Sequence, residues 1–232
     1  MNSQFRIGLI IPSGNVMTEP QFHRYAPSAV GVHVSRLRMT GKWHRPPAEL
    51  KEAIAEASAA LSDTNPGIIV FHCTASSMEA GLAGEATLLE TVQKASGCPA
   101  TTTAQAITEA LRHLRLRKLV LISPYVKQTN QHEIHYLREV GFEIIHDLGL
   151  SLREGYAAVT PQRWKEVVMA NIRPEADGYL LSCTNTNMIE AIEESEQCLG
   201  KPVVTSNQAT LWACLRRPGI AQPIEGLGQL FR

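Results

Sequence analysis

Two cysteines sit in matching settings. One lies in Gly67-Ile-Ile-Val-Phe-His-Cys73-Thr-Ala-Ser-Ser-Met-Glu-Ala80, the other in Gly178-Tyr-Leu-Leu-Ser-Cys183-Thr-Asn-Thr-Asn-Met-Ile-Glu-Ala191. Each follows a short apolar run and precedes small polar residues and a helical pattern. A thiolate is a nucleophile and a proton carrier. A helix N-terminus carries partial positive charge, so a cysteine placed there is expected to ionise more easily, and at least one of the two should be a low-pKa thiolate. A lone cysteine of this kind can equally be a small buried hydrophobe. Two in matched positions suggest two thiols working on one substrate.

The elements that position them follow from the apolar pattern. An apolar run this short, bounded by turn residues, reads as a buried strand of a parallel sheet. Ligands bind at the carboxyl edge of such a sheet. Phe5–Pro12 is predicted as the first strand, followed by a helix over 18–25 with Thr18 as its cap. Gly31–Leu37 is a strand. Gly41–Pro47 is a loop long enough to cover a site edge, and 48–61 is a helix. The first cysteine strand, a helix ending near Gly97, a short strand at 99–103 and a helix over 104–114 complete the half. The second half runs strand 118–124, helix 128–140, strand 142–148 and helix 161–172. The second cysteine strand, a helix over 187–199, strand 202–205 and helix 208–216 then follow. Such alternation predicts an α/β fold with mostly parallel sheets flanked by helices.

The halves repeat one another. Gly97-Cys-Pro-Ala-Thr-Thr-Thr-Ala-Gln105-Ala matches Gly200-Lys-Pro-Val-Val-Thr-Ser-Asn-Gln208-Ala, and the strand ending at Pro12 matches the one ending at Pro124. We expect two pseudo-symmetric lobes with the active site in the cleft between them. The first comprises 1–101 plus 207–232 and the second 102–206, with the last helix returning to pack on the first lobe.

Composition narrows the partners. The 232 residues carry 22 basic and 22 acidic side chains, with no basic stripe, which argues against nucleic acid. No apolar stretch reaches membrane-span length. The start runs directly into a strand, so no signal peptide is expected. The 5 cysteines have no C-x-x-C spacing, which disfavours a zinc site, and their odd number disfavours a disulfide framework. A cytoplasmic enzyme with reduced thiols, forming a homo-oligomer of two or more chains, is the expectation. Cys98, Cys198 and Cys214 lie in or beside helices and are assigned to packing. His72 should point away from Cys73, because side chains alternate on a strand; it reads as a core or interlobe histidine.

Gly8-Leu-Ile-Ile-Pro-Ser-Gly-Asn15-Val-Met-Thr-Glu-Pro20, the two strand–Cys–Thr elements, and Ser-Pro-Tyr125 with Asn130 together resemble the aspartate/glutamate racemase superfamily. Within it the chain is most similar to the maleate cis–trans isomerase and arylmalonate decarboxylase branch, over nearly its whole length. The resemblance implies enzymes without cofactor or metal, acting on small carboxylates. It implies Cys73 as nucleophile on the double bond of a cis-enedioate, or as proton abstractor in a racemase, and Cys183 as acid/base. It places Asn15 and Tyr125 at substrate-binding positions. Thr74, Ala75, Thr184 and Asn185 follow the cysteines, and their N–H groups and hydroxyls can bind carboxylate and stabilise an enediolate. The same residues also cap helices well.

The decarboxylases of this branch carry glycine in place of the first cysteine, and the Thr-Ala-Ser segment here lacks their Thr-Ser pair. The presence of both thiols favours isomerisation of a maleate-like dicarboxylate. A racemase or decarboxylase of an α-substituted acid on the same scaffold is the alternative. A ligand-binding protein that retains the fold without catalysis is the third reading.

Overall fold

The computed structural model describes residues 5–40 and 45–232. β1 (Phe5–Pro12) is apolar on both faces and is flanked by β2 (Val30–Leu37) and β3 (Ile68–Phe71). Ile7, Leu9 and Ile11 enter one core and Ile10 the other. A strand covered on both sides has no solvent face to keep polar, hence the continuous apolar run. The sheet order is β2-β1-β3-β4, with β4 at Ala100–Thr102, and all its pairings are parallel. Helices α1 (Thr18–Tyr25), α2 (Lys51–Ser62), α3 (Thr74–Met78) and α4 (Gly81–Ser96) connect its strands.

After α5 (Thr103–His113) the plan repeats. The strands β5 (Lys118–Ser123), β6 (Glu143–Gly149), β7 (Gly178–Leu181) and β8 (Val203–Thr205) form a parallel sheet of order β6-β5-β7-β8. α6 (Lys127–Glu139), α7 (Pro161–Ala170) and α8 (Ile192–Leu199) connect them. α9 (Ser206–Arg216) closes the pattern, packing on α5 and on α1 of the first half. The two crossing helices start with the same device. Thr102 Oγ1 accepts the Gln105 N–H, and Thr205 Oγ1 accepts that of Gln208, whose Oε1 accepts the Thr205 N–H in return. This capping box satisfies donors that a helix start otherwise leaves open. It is why α9 begins at Ser206 rather than at 208.

Each sheet reverses its strand order at one place, between β1 and β3 and between β5 and β7. A crevice opens at the carboxyl end of such a switch point. The segments after these four strands carry Asn15, Cys73, Tyr125 and Cys183 respectively.

Three local expectations need correction. Thr18 is the first residue of α1, not its cap; Asn15 Oδ1 accepts the Met17 and Thr18 N–H groups instead. The helix expected over 187–199 is a 3-10 turn at Met188–Ala191 followed by α8. Cys183 is thus separated from the next α-helix by a polar bend. The helix expected from 48 begins as a 3-10 turn at Pro47–Leu50. Of the loop predicted over 41–47, residues 41–44 lie outside the described residues. No described helix is long and apolar enough to cross a membrane.

Candidate active site

A cleft of about 1150 Å³ opens at the carboxyl edges of the two sheets, with Cys73 and Cys183 both on its wall. Strand alternation puts Cys73 with the α2/α4-side core and turns His72 to the opposite face. His72 is fully buried. Its Nε2 lies 2.8 Å from Asn207 Oδ1 and its Nδ1 3.0 Å from Thr103 Oγ1. The Asn207 Nδ2 already donates to Gln21 Oε1 and the Thr184 carbonyl, so its oxygen takes the histidine N–H. Burial lowers the His72 pKa to about 4, partly offset by the Asn207 bond, so the ring is neutral at pH 7. It joins the end of β3 to the first turns of α5 and α9 and does not line the cleft.

The two thiols are not poised as low-pKa thiolates. Burial pushes Cys73 up, against the opposing pull of Ser76, whose Oγ lies 3.3 Å from the sulfur. Burial pushes Cys183 further, to about 12, while a Tyr125 hydrogen bond and the Asn185 N–H at 3.3 Å work the other way. Desolvation of the charged form outweighs the few donors on each sulfur, and α3 is barely more than one turn long. Of the other cysteines, Cys214 is buried, Cys98 half-buried and Cys198 exposed, so the packing role expected for Cys198 does not hold.

Asn15, Ala75, Tyr125, Thr184 and Asn185 line the same cleft as the thiols. Thr74 is sealed beneath it, its hydroxyl 2.9 Å from Ser206 Oγ, which also accepts the Cys183 N–H at 3.0 Å. One hydroxyl thereby joins the two cysteine segments. Asn15 and Asn185 form a reciprocal clasp. Asn15 Nδ2 donates to Thr18 Oγ1 and Thr184 Oγ1, and Asn185 Oδ1 accepts the Val16 N–H at 3.0 Å. Arg36 holds the same loop through the carbonyls of Ser13 and Asn15.

Tyr125 is fixed from behind by backbone. The Ser151 N–H donates to its carbonyl at 3.0 Å, and Gly149 lies so close that a Cβ there would collide with that oxygen. Tyr156 meets the Tyr125 ring edge-on at 5.7 Å between centroids. Ser76, His132, Arg153 and Tyr156 also line the cleft, and the sequence did not single them out. Ser76 was within reach, three residues after Cys73 on a helical turn. Segment 153–156 offers no motif; its only local mark is Gly155, at φ 74°. Among the described residues no group of three or more His, Cys, Asp or Glu side chains could hold a metal ion.

The cleft therefore presents two sulfurs together with the polar side chains of Asn15, Ser76, Tyr125, Thr184 and Asn185. A family model described as arylmalonate decarboxylase matches residues 7–231. A maleate isomerase of Pseudomonas putida is 26% identical over 246 aligned positions, covering 100% of this chain and 98% of its own. An arylmalonate decarboxylase of Bordetella bronchiseptica is 29% identical over 185, covering 78% of this chain and 77% of its own. The solved structure of a cysteine-to-serine variant of Nocardia farcinica maleate cis–trans isomerase, with a covalently bound succinylcysteine intermediate, superposes with a TM-score of 0.89. It is 23% identical and covers 98% of each chain, a likeness of fold.

Proposed function

The chain belongs to the arylmalonate decarboxylase family, and from that premise we propose that it is a cis–trans isomerase of a small dicarboxylate, converting maleate or a near relative to the trans isomer without a cofactor. The observation that carries this reading is the pair of thiols facing one cleft. The chain-length similarity to maleate isomerases supports it.

Cys73, its thiol proton released to solvent, adds as the thiolate to one alkene carbon. The S–C bond forms and the π pair moves into the far carboxylate as an enediolate. The Ala75 N–H, the Asn185 side-chain amide and the hydroxyls of Thr184 and Tyr125 receive that charge, with Asn15 holding the Thr184 hydroxyl in place. Preorganised donors of this kind act where charge develops. The former double bond is now single and rotates. The enediolate then collapses, the S–C pair returns to sulfur, and the trans alkene leaves. Cys183, held protonated by burial, lends a proton to the enediolate carbon and takes it back. Thr74 acts through Ser206, which aligns both cysteine segments.

The lobes in this reading divide as 1–101 plus 207–232 and 102–206, so the substrate lies between them. Free thiols in catalytic use favour a reducing, cytoplasmic setting, and we include a homo-oligomer of two or more chains.

A decarboxylase reading rests on the Bordetella relative. It is disfavoured by Cys73, which occupies the place where the decarboxylases carry glycine. The experiment is to supply maleate and an arylmalonate separately and follow both by proton NMR. Fumarate from maleate, lost in Cys73→Ala and Cys183→Ala proteins that keep the wild-type circular dichroism, is the expected result. Arylacetate formed from the arylmalonate, with no fumarate from maleate, would replace the isomerase by the decarboxylase.

A further inference from the structure

α6 lends His132 to the cleft, and the next residue on the helix, Glu133, turns inward. Glu133 is fully buried, and neither of its carboxyl oxygens meets a hydrogen-bond partner in good geometry. Buried carboxyls without partners are rare and call for an explanation. Ser182, immediately before Cys183, is also buried with an unpartnered hydroxyl. It lies near enough to favour the Glu133 carboxylate slightly, without forming a well-aligned bond.

α6 packs on α3, the turn that follows Cys73, while Ser182 leads directly into Cys183. The cysteine loops at the ends of β3 and β7 present Cys73 and Cys183, and the loop after β5 presents Tyr125. A Glu133 carboxylate acts on all three by raising their pKa. Glu79, beyond α3, acts on Cys73 in the same sense. From β6, Asp147 is engaged by Asn130 Nδ2 at 3.4 Å. From α4, Glu85 accepts the Tyr136 hydroxyl at 2.8 Å. No cation contributes to the state of Glu133 itself; burial alone dominates it and drives the carboxyl up to about 8.

We propose that Glu133 is a positioning residue for the two thiols: as a neutral acid it lets Cys73 and Cys183 ionise, and as a carboxylate it opposes thiolate at both. Its proton goes to solvent on ionisation, and no bond to substrate is involved. The consequence is a brake on thiol ionisation that sets in as Glu133 loses its proton. The inference rests on Cys73 and Cys183 being the reacting thiols, but its test does not require turnover.

The test is iodoacetamide alkylation at single cysteines, read by peptide mass spectrometry between pH 6.5 and 10.5 in the full chain. Cys198, exposed on α8, is the internal reference. Glu133→Gln should raise the Cys73 and Cys183 rates at pH 9 at least about threefold and leave Cys198 unchanged. Superimposable profiles for the two proteins would overturn the proposal. Should the variant fail to fold, the wild-type Glu133 carboxyl can be followed by carbon-13 NMR. A midpoint in the ordinary glutamate range would overturn the proposal as well, and a midpoint near 8 would uphold it. Alkylation that behaves as expected while maleate is left untouched would sink the substrate reading alone.

Discussion

The Asn15 side-chain amide donates to the Thr184 hydroxyl at 3.1 Å, joining the loop after the first strand to the loop after the second cysteine. Its carbonyl oxygen meanwhile caps α1 through Met17 and Thr18. One side chain thus serves as a helix cap and as a strut across the cleft. Asn15→Asp separates these roles, because it keeps the acceptor and loses both donors. Stability should stay within about 1 kcal/mol of wild type, the typical worth of a cap. Turnover of maleate should nevertheless fall at least about tenfold, as the Thr184 hydroxyl loses its orientation. Urea titration and steady-state rates check the two halves. A rate left unchanged in Asn15→Asp would mean that Asn15 matters only as a cap.

Tyr125 bears on Cys183 directly. Its hydroxyl favours the Cys183 thiolate, and its own ionisation is pushed well up by burial and by the neighbouring thiols. It therefore remains a hydrogen-bond donor at any working pH. Tyr125→Phe removes the donor and keeps the ring against Tyr156. A bond to a charged group contributes about 1.5–3 kcal/mol, so kcat/KM should fall at least about tenfold. The same change should slow Cys183 alkylation at fixed pH by raising the thiol's pKa. An unchanged rate together with unchanged alkylation would place the hydroxyl outside the reaction.

How far the sequence reached can be judged from these same residues. The apolar runs of β1, β3, β5 and β7 are legible because parallel strands covered on both faces leave nothing polar to interrupt them. The duplication is legible because the Thr-x-x-Gln caps at 102 and 205 recur with the strands they follow. His72 is legible by alternation alone. The ionisation of the thiols is not, because desolvation depends on how tightly the lobes close over Cys73 and Cys183. The Asn15–Thr184 and Thr74–Ser206 bonds are equally out of reach, since they join residues far apart in the chain. Glu133 left a faint trace: with Asn130 it puts polar residues on the buried stripe that continues through Ile134 and Leu137.

Glu133 and His72 also shape stability against pH, with opposite signs. Glu133 rises from 4.5 to about 8 on folding, so the folded state binds more protons than the unfolded chain in that window. Stability is fully present below about pH 4.5 and is lost as pH rises through 8. His72 falls from 6.5 to about 4, so its share is present above 6.5 and is lost as pH falls through 4. Between 4.5 and 6.5 the two trends oppose each other. From pH 6.5 to 8 Glu133 acts without that opposition, and stability should decline by up to about 1.4 kcal/mol per pH unit. Urea midpoints measured across this range should fall in the wild type and flatten in Glu133→Gln. Equal slopes in both proteins would show that Glu133 ionises as an ordinary carboxyl.

Hydrogen from solvent separates isomerisation from racemisation in the same cleft. A racemase removes an α-hydrogen with one thiolate and returns a proton from the opposite thiol. Thiol protons exchange with water, so in deuterated water every inverted product molecule gains deuterium at carbon. The isomerase needs no such step, because Cys73 adds to the alkene, the single bond rotates and Cys73 leaves. Cys183 nevertheless stands protonated at neutral pH, its pKa pushed up to about 12, and carries deuterium in heavy water. If it delivers that deuterium to the enediolate and then removes either hydrogen, part of the fumarate is labelled. Mass spectrometry of fumarate formed from maleate should therefore show partial vinylic deuterium. Cys183→Ser, a weaker proton donor, should lower both the label and the rate. Stoichiometric label in an inverted chiral acid, with maleate left unconverted, would establish racemisation instead.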